Sequence, residues 1–378
     1  DIDDLLRELN KPYVKSINSP DGDIIDCVDI RNQPSFDDPA MKNRTIEFIP
    51  GDYPEELFPE DEVEGEGILP QTWQQAGSCP DGTIPIRRTT REDVIRARSM
   101  IEGSSFARKK PNSLPRPGAY SVQADAPPNN HERAMGYMTR AKFFGGKAAF
   151  SVWKPIVQSN EFSLAQLWVM ADDELAGPEI NSVEAGWQVY PGYYGDGRPR
   201  FFNYWTRDDS VSTGCYDLKC KGFVQTSSKI TLGGVLDFSA FNGRQVEISI
   251  YIFKGKYSKD WWLQVGNERV GYWPNGLFTS LSDTAYTVQW GGEVIDTKAG
   301  GQHTTTQMGS GHFPEEGYKR AAYIRDVRVV DYLYAATPAN GLQLYSDDWK
   351  CYGVDTHVNP TYGIFLYYGG PGRNANCP

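Results

Sequence analysis

At 378 residues the chain is long enough for two or three folding units and a sizeable core. Aromatics make up 13% of it, and 38 Gly and 25 Pro punctuate it every few residues, a texture of short strands and turns rather than long helices. A net charge of -11, with a pI near 5.0, argues against nucleic-acid phosphate or an anionic membrane as the main partner, and no apolar run approaches membrane-spanning length.

In chain order, Leu5, Leu6 and Leu9 have helical spacing within residues 1–10, and residues 23–30 read as a short strand. Residues 47–66 hold nine acidic side chains among Pro and Gly, the pattern of a solvated connector. Thr90 and Asp93 have the spacing of a capping box and predict a helix over 91–100. Residues 109–130 (Lys-Lys-Pro-Asn, then Pro-Arg-Pro-Gly, then Ala-Pro-Pro-Asn-Asn) form a linker. The expected division is 1–108, linker 109–130, and 131–378.

Beyond His131 the chain alternates as antiparallel sheet. Strands are expected over 148–153, 163–170, 183–189, 201–206, 245–253, 261–265, 287–295, 323–330 and 364–368. So many strands without intervening helices predict an all-β, two-sheet antiparallel sandwich of jelly-roll type, preceded by a small mixed α/β unit. The six cysteines suggest the pairs Cys27–Cys79, Cys215–Cys220 and Cys351–Cys377, although fifteen connectivities are open. Their even number and the sequon at Asn43 point to an oxidising compartment, any signal peptide having been removed before Asp1. No zinc-ligand spacing, phosphate-binding glycine loop or nucleophile elbow occurs, so neither metal nor cofactor is expected.

Two strands carry the candidate chemistry. In Val183–Val189, Glu184, Gly186 and Gln188 share one face, and in Thr287–Ile295, Gln289, Gly291 and Glu293 share one. The segments are mirrors, Glu-x-Gly-x-Gln and Gln-x-Gly-x-Glu. Paired antiparallel, they would set Glu184 opposite Glu293 at about 5 Å between Cβ atoms, above a floor of glycine, with one proton held between the two acids. The plainer reading is two solvated strand-face glutamates, with Trp187 and Trp290 as core.

The motifs Cys79-Pro-Asp-Gly-Thr-Ile-Pro-Ile-Arg-Arg88, Asn181-Ser-Val-Glu-Ala-Gly-Trp-Gln-Val189, Val288-Gln-Trp-Gly-Gly-Glu293 and His303-Thr-Thr-Thr-Gln-Met-Gly-Ser-Gly-His312 resemble the neprosin family of plant proteins over nearly the whole chain. The resemblance implies a secreted zymogen, of extracellular, vacuolar or cell-wall location. Its N-terminal pro-region would inhibit a β-sandwich glutamic peptidase that is active in acid and cleaves after proline. It carries the catalytic role onto Glu184 and Glu293 alone; the mirrored pattern adds Gln188, Gln289, Gly186 and Gly291 as supporting or substrate-binding candidates, Gln188 as a donor toward the developing oxyanion, and Gln289 replaces a glutamate of the family pattern. Expected partners are proline-containing peptides or proteins and the chain's own pro-region, with Arg87 and Arg88 as candidates to neutralise the site and the linker as the processing site. Rival readings are a sandwich glycoside hydrolase acting on cell-wall glycans and a non-catalytic cell-wall lectin.

Overall fold

The structure is a computed structural model and describes residues 2–57, 70–100, 130–172, 180–297 and 301–378. Most of the acidic connector beyond 57 and nearly all of the 109–130 linker fall outside the described residues. The N-terminal unit begins with α1 (Ile2–Leu9), whose first turn carries Asp3 and Asp4, the favourable charge at a helix start. Strands β1 (Tyr13–Asn18), β2 (Ile24–Asp29) and β3 (Thr83–Arg87) form an antiparallel sheet in that order. Pro85 is tolerated because β3 is a sheet edge. The Cys27–Cys79 disulfide ties β2 to the segment leading into β3. Next comes α2 (Arg91–Met100), where the capping box forms as its spacing predicts: Asp93 N donates to Thr90 Oγ1, and Thr90 N donates to Asp93 Oδ2.

The C-terminal unit is a two-sheet antiparallel sandwich. Its strands are β4 (His131–Phe143), β5 (Gly145–Ser151), β6 (Ser163–Ala171), β7 (Asn181–Val189), β8 (Arg200–Thr206), β9 (Cys215–Tyr216) and β10 (Val224–Gln225). They continue with β11 (Glu247–Lys254), β12 (Trp261–Val265), β13 (Glu268–Trp273), β14 (Ala285–Ile295) and β15 (Ala322–Val330). The last are β16 (Ala336–Pro338), β17 (Gln343–Ser346), β18 (Gly353–Asn359) and β19 (Gly363–Gly369). A short helix, α3 (Pro191–Tyr194), follows β7. One sheet runs β17-β4-β14-β6-β7-β8-β9, and the other β10-β13-β12-β11-β5-β15-β19-β18, with β16 on β15.

Between them lies one apolar core that takes Val183, Ala185, Trp187 and Val189 from β7 and Val288, Trp290 and Val294 from β14, as alternation predicts. Trp187 and Trp290 are therefore core residues. The pairs Cys215–Cys220 and Cys351–Cys377 complete the expected disulfides. β4, at 13 residues the longest strand described, was missed because His131, Glu132 and Arg133 break its apolar alternation at the start.

Candidate active site

The face of the seven-stranded sheet turned away from the core carries the candidate residues. Strand order changes their arrangement: β7 and β14 are not neighbours, since β6 lies between them and pairs antiparallel with both. The two mirrored segments therefore run parallel to each other, and the expected Glu184–Glu293 pairing does not form. Glu184 is level with Trp168 and Gln289, Gly186 with Gln166 and Gly291, and Gln188 with Leu164 and Glu293. The two glutamates stand at opposite corners of this patch, two strand spacings and four residues apart, about 16 Å between Cα atoms on a flat sheet and less on a curled one.

The glycine floor is also corrected. A Cβ on Gly186 would fall 2.0 Å from the Ala165 carbonyl oxygen, and one on Gly291 2.4 Å from that of Ala134. These glycines let neighbouring backbone close in rather than open space above the sheet, and Gln166 occupies the centre between them. Gly186→Ala is expected to lower stability by about 3 kcal/mol through forced backbone movement, read as a drop in thermal midpoint.

The corners differ in chemistry. Glu293 contacts the His131 Nδ1 atom and lies 3.5 Å from Arg133 Nη2, all three groups being buried. The start of β4 supplies both basic groups: Arg133 is in register with Glu293, and His131, two residues earlier, shares its face. Glu184, also buried, accepts hydrogen bonds from Gln166 Nε2 at 2.9 Å and Ser182 Oγ at 2.8 Å. Gln188 Nε2 donates to the Tyr194 hydroxyl at 2.9 Å. Gln166 Oε1, Gln188 Oε1 and Trp168 Nε1 are buried and have no hydrogen-bond partner among the described residues. Buried unsatisfied polar groups clustered on one face are a ready set of contacts for a ligand with polar main-chain groups. Rings wall the Glu184 corner: Trp168 and Tyr204 flank it on β6 and β8, and Tyr216 lies 4.7 Å from Tyr204.

Sequence reasoning missed Gln166, His131, Arg133 and Ser182. Gln166 did leave a trace, as a lone amide between Leu164 and Trp168 on one face of an otherwise apolar strand.

Arg87 and Arg88 do not reach the glutamates. Arg87 pairs with Asp23 at 2.9 Å and Asp93 at 3.2 Å, and Arg88 with Asp26 at 2.6 Å, all inside the N-terminal unit. What meets the site's edge is Asp23, which pairs at 2.6 Å with Arg200 of β8, the residue in register with Gln188.

Two groups of potential metal ligands occur among the described residues, neither on this face. One is His303 with Glu132 and Asp296. Glu132 points to the opposite side of β4 from Arg133, and its 2.8 Å hydrogen bond with His303 accounts for the contact. Burial alone would lower the His303 pKa; that hydrogen bond, the one to the Thr304 carbonyl and the charges of Glu132 and Asp296 together outweigh it and raise it. The other adds Cys351 and Cys377, which a disulfide removes as thiolates.

The fold is similar to the crystal structure of scytalido-glutamic peptidase with a transition state analog inhibitor, at 10% identity and a TM-score of 0.36 over 64% of this chain and 98% of that one. SCP-B, a member of the Eqolisin family of peptidases, solved with the tripeptide Ala-Ile-His, is similar at 10% identity and a TM-score of 0.34, with the same coverage. CG-16, a homodimeric agglutinin from chicken liver, is similar at 8% and 0.23, over 42% and 92%. The family profile for the Neprosin activation peptide matches residues 16–137, reaching into β4, and that for Neprosin matches residues 159–371. The second profile marks an activation segment in the N-terminal part of the chain, ahead of the sandwich. The chain belongs to the neprosin family.

Proposed function

We propose that the chain is a secreted, acid-active glutamic endopeptidase that hydrolyses peptide bonds after proline by direct attack of water, with Glu184 and Glu293 as its working acids. The observation that carries this reading is the unlike surroundings of two buried glutamates on one sheet face: basic groups at Glu293, neutral hydrogen-bond donors at Glu184.

Arg133 and His131 favour an ionised Glu293, which is therefore the base that takes a proton from water as its oxygen attacks the scissile carbonyl carbon. Glu184 sits against the Gln166 amide and the Ser182 hydroxyl. It is the acid that hydrogen-bonds the carbonyl oxygen and then gives its proton to the departing amine as the C–N bond breaks. Gln166 and Gln188 each commit one amide hydrogen, to Glu184 and to the Tyr194 hydroxyl, and the second hydrogen of each is a donor for the developing oxyanion. A substrate lying across the patch bridges the two acids. Their register thus disfavours a retaining glycosidase, whose carboxyls stand about 5 Å apart.

Proline preference is supported by the aromatic wall of Trp168, Tyr204 and Tyr216, faces on which a proline ring packs well. Secretion is supported by the three disulfides and the exposed sequon at Asn43, which we take as glycosylated. The test is to incubate the acid-treated protein with a proline-containing peptide and, separately, with cell-wall glycans. New peptide termini without new reducing ends are expected. Reducing ends alone would support the glycosidase, and glycan binding without any cleavage a lectin.

A further inference from the structure

We infer that cutting the linker does not by itself separate the activation segment from the sandwich: the N-terminal unit stays bound as a non-covalent subunit, held mainly on the outer sheet away from the glutamates. This rests on the activation-peptide assignment and not on the catalytic reading.

The contact has the character of a protein core. β10 is the edge strand of the larger sheet, and a sheet edge presents peptide groups that need cover. The side chain of Gln33 supplies it: Nε2 donates to the Gln225 carbonyl at 3.0 Å, and Oε1 accepts from the Gln225 N–H at 2.7 Å. Gln71 repeats the device on Thr231, donating to its carbonyl at 2.7 Å and accepting from its N–H at 2.7 Å. Each amide therefore mimics a stretch of paired backbone, one at each end of residues 225–231. Ser35 joins them, donating to the Phe223 carbonyl at 2.6 Å and accepting from Gly222 N–H at 3.2 Å.

Gln33, Ser35 and Gln71 are all buried, so departure of the segment would strand main-chain groups as well as expose apolar surface. That surface is an aromatic seam in which Phe36, Ile46 and Leu57 pack with Tyr251, Phe253, Trp262 and Tyr272 on the outer face. Lys147 Nζ reaches across to the Leu57 carbonyl at 2.9 Å. The disulfide of the N-terminal unit, Cys27–Cys79, lies wholly within it, so it does not tie the unit to the sandwich after a cut.

The experiment places a recognition sequence for a site-specific protease within residues 109–130 of the full chain, cuts it to completion at neutral pH, and follows sedimentation with denaturing gels of each fraction. Both fragments should sediment as one particle of the intact mass, 42.4 kDa, at micromolar protein. Separation of the N-terminal fragment at about 1 µM would overturn the inference. In the same nicked protein, Gln33→Ala with Gln71→Ala should loosen the complex by about a hundredfold, two losses of roughly tenfold each. Unchanged affinity in that variant, with the uncut variant melting normally, would refute the glutamine clamps. Because binding is read directly, the result stands apart from whether the chain cleaves peptides.

Discussion

Glu184→Gln and Glu293→Gln are each expected to cut peptide cleavage at acid pH by about a thousandfold or more, the size of a lost general acid or base. Their effects on folding should differ. Glu184 rests against an amide and a hydroxyl, and an amide in its place keeps those hydrogen bonds after small adjustments. Glu293 faces the buried Arg133 and His131, so removing its charge takes a carboxylate from beside a buried guanidinium, at a cost of about 3 kcal/mol. Thermal melts check this: a lowered midpoint for Glu293→Gln and an unchanged one for Glu184→Gln. Retained activity in either variant sinks the assignment, and equal melting of both sinks the asymmetry.

Asp23→Asn should release the activation segment from the site's edge at a higher pH than in the parent chain. Burial would raise the Asp23 pKa, but the charges of Arg200 and Arg87 outweigh it and hold the carboxyl below its usual 3.8. Asp93 behaves alike: burial raises it, and Arg87 with the Thr90 N–H prevails and lowers it. A carboxylate depressed in the docked state favours docking above its free pKa, and that contribution is lost as pH falls through the docked value. The edge therefore loosens in acid.

Every group facing this edge bears on the outcome. The N-terminal unit presents Asp23, Arg87, Asp93 and Arg96; the sandwich presents Asp196, Arg198, Arg200, Tyr194, Asp217 and Lys219. Burial raises Asp217 and lowers Lys219, the latter only to about 8, so Lys219 stays cationic in acid, where its Nζ donates to Thr89, and Asp23–Arg200 is the direct ion pair across the edge. Losing one partner of a buried pair costs about 3 kcal/mol, near a hundredfold in docking. The measurement is the pH midpoint of processing followed on gels. A midpoint unmoved in Asp23→Asn would mean that another contact holds the segment.

How much of this was legible in the sequence depends on how far each signal reaches along the chain. The capping box at Thr90, the alternation that buries Trp187 and Trp290, and the face shared by Glu184, Gly186 and Gln188 are local, and they hold. Strand order is not local. Nothing in the apolar run of β6 announces that it inserts between β7 and β14, so a mirrored pattern that invites antiparallel pairing instead frames a third strand. That one insertion moves Glu293 from opposite Glu184 to opposite Leu164, and puts Gln166 where an open floor was expected. The partners of Glu293 were hidden for a related reason: His131 and Arg133 are 162 and 160 residues away in sequence, and charged residues at a strand's start read as surface. Arg87 and Arg88 show the reverse error, since adjacent charges suggested a long reach but found their acids within their own small unit. The clamps of Gln33 and Gln71 join positions 192 and 160 apart, with no sequence mark beyond an amide.

The central claim is tested most directly by cleavage itself. The purified full chain, matured in acid, is incubated near pH 4 with a complex peptide mixture, and new termini are mapped by mass spectrometry beside a Glu184→Gln, Glu293→Gln double variant that has been nicked in its linker. New carboxyl termini concentrated at proline are expected, absent from the double variant. An uncut mixture, or the same cleavage pattern from the double variant, would contradict it.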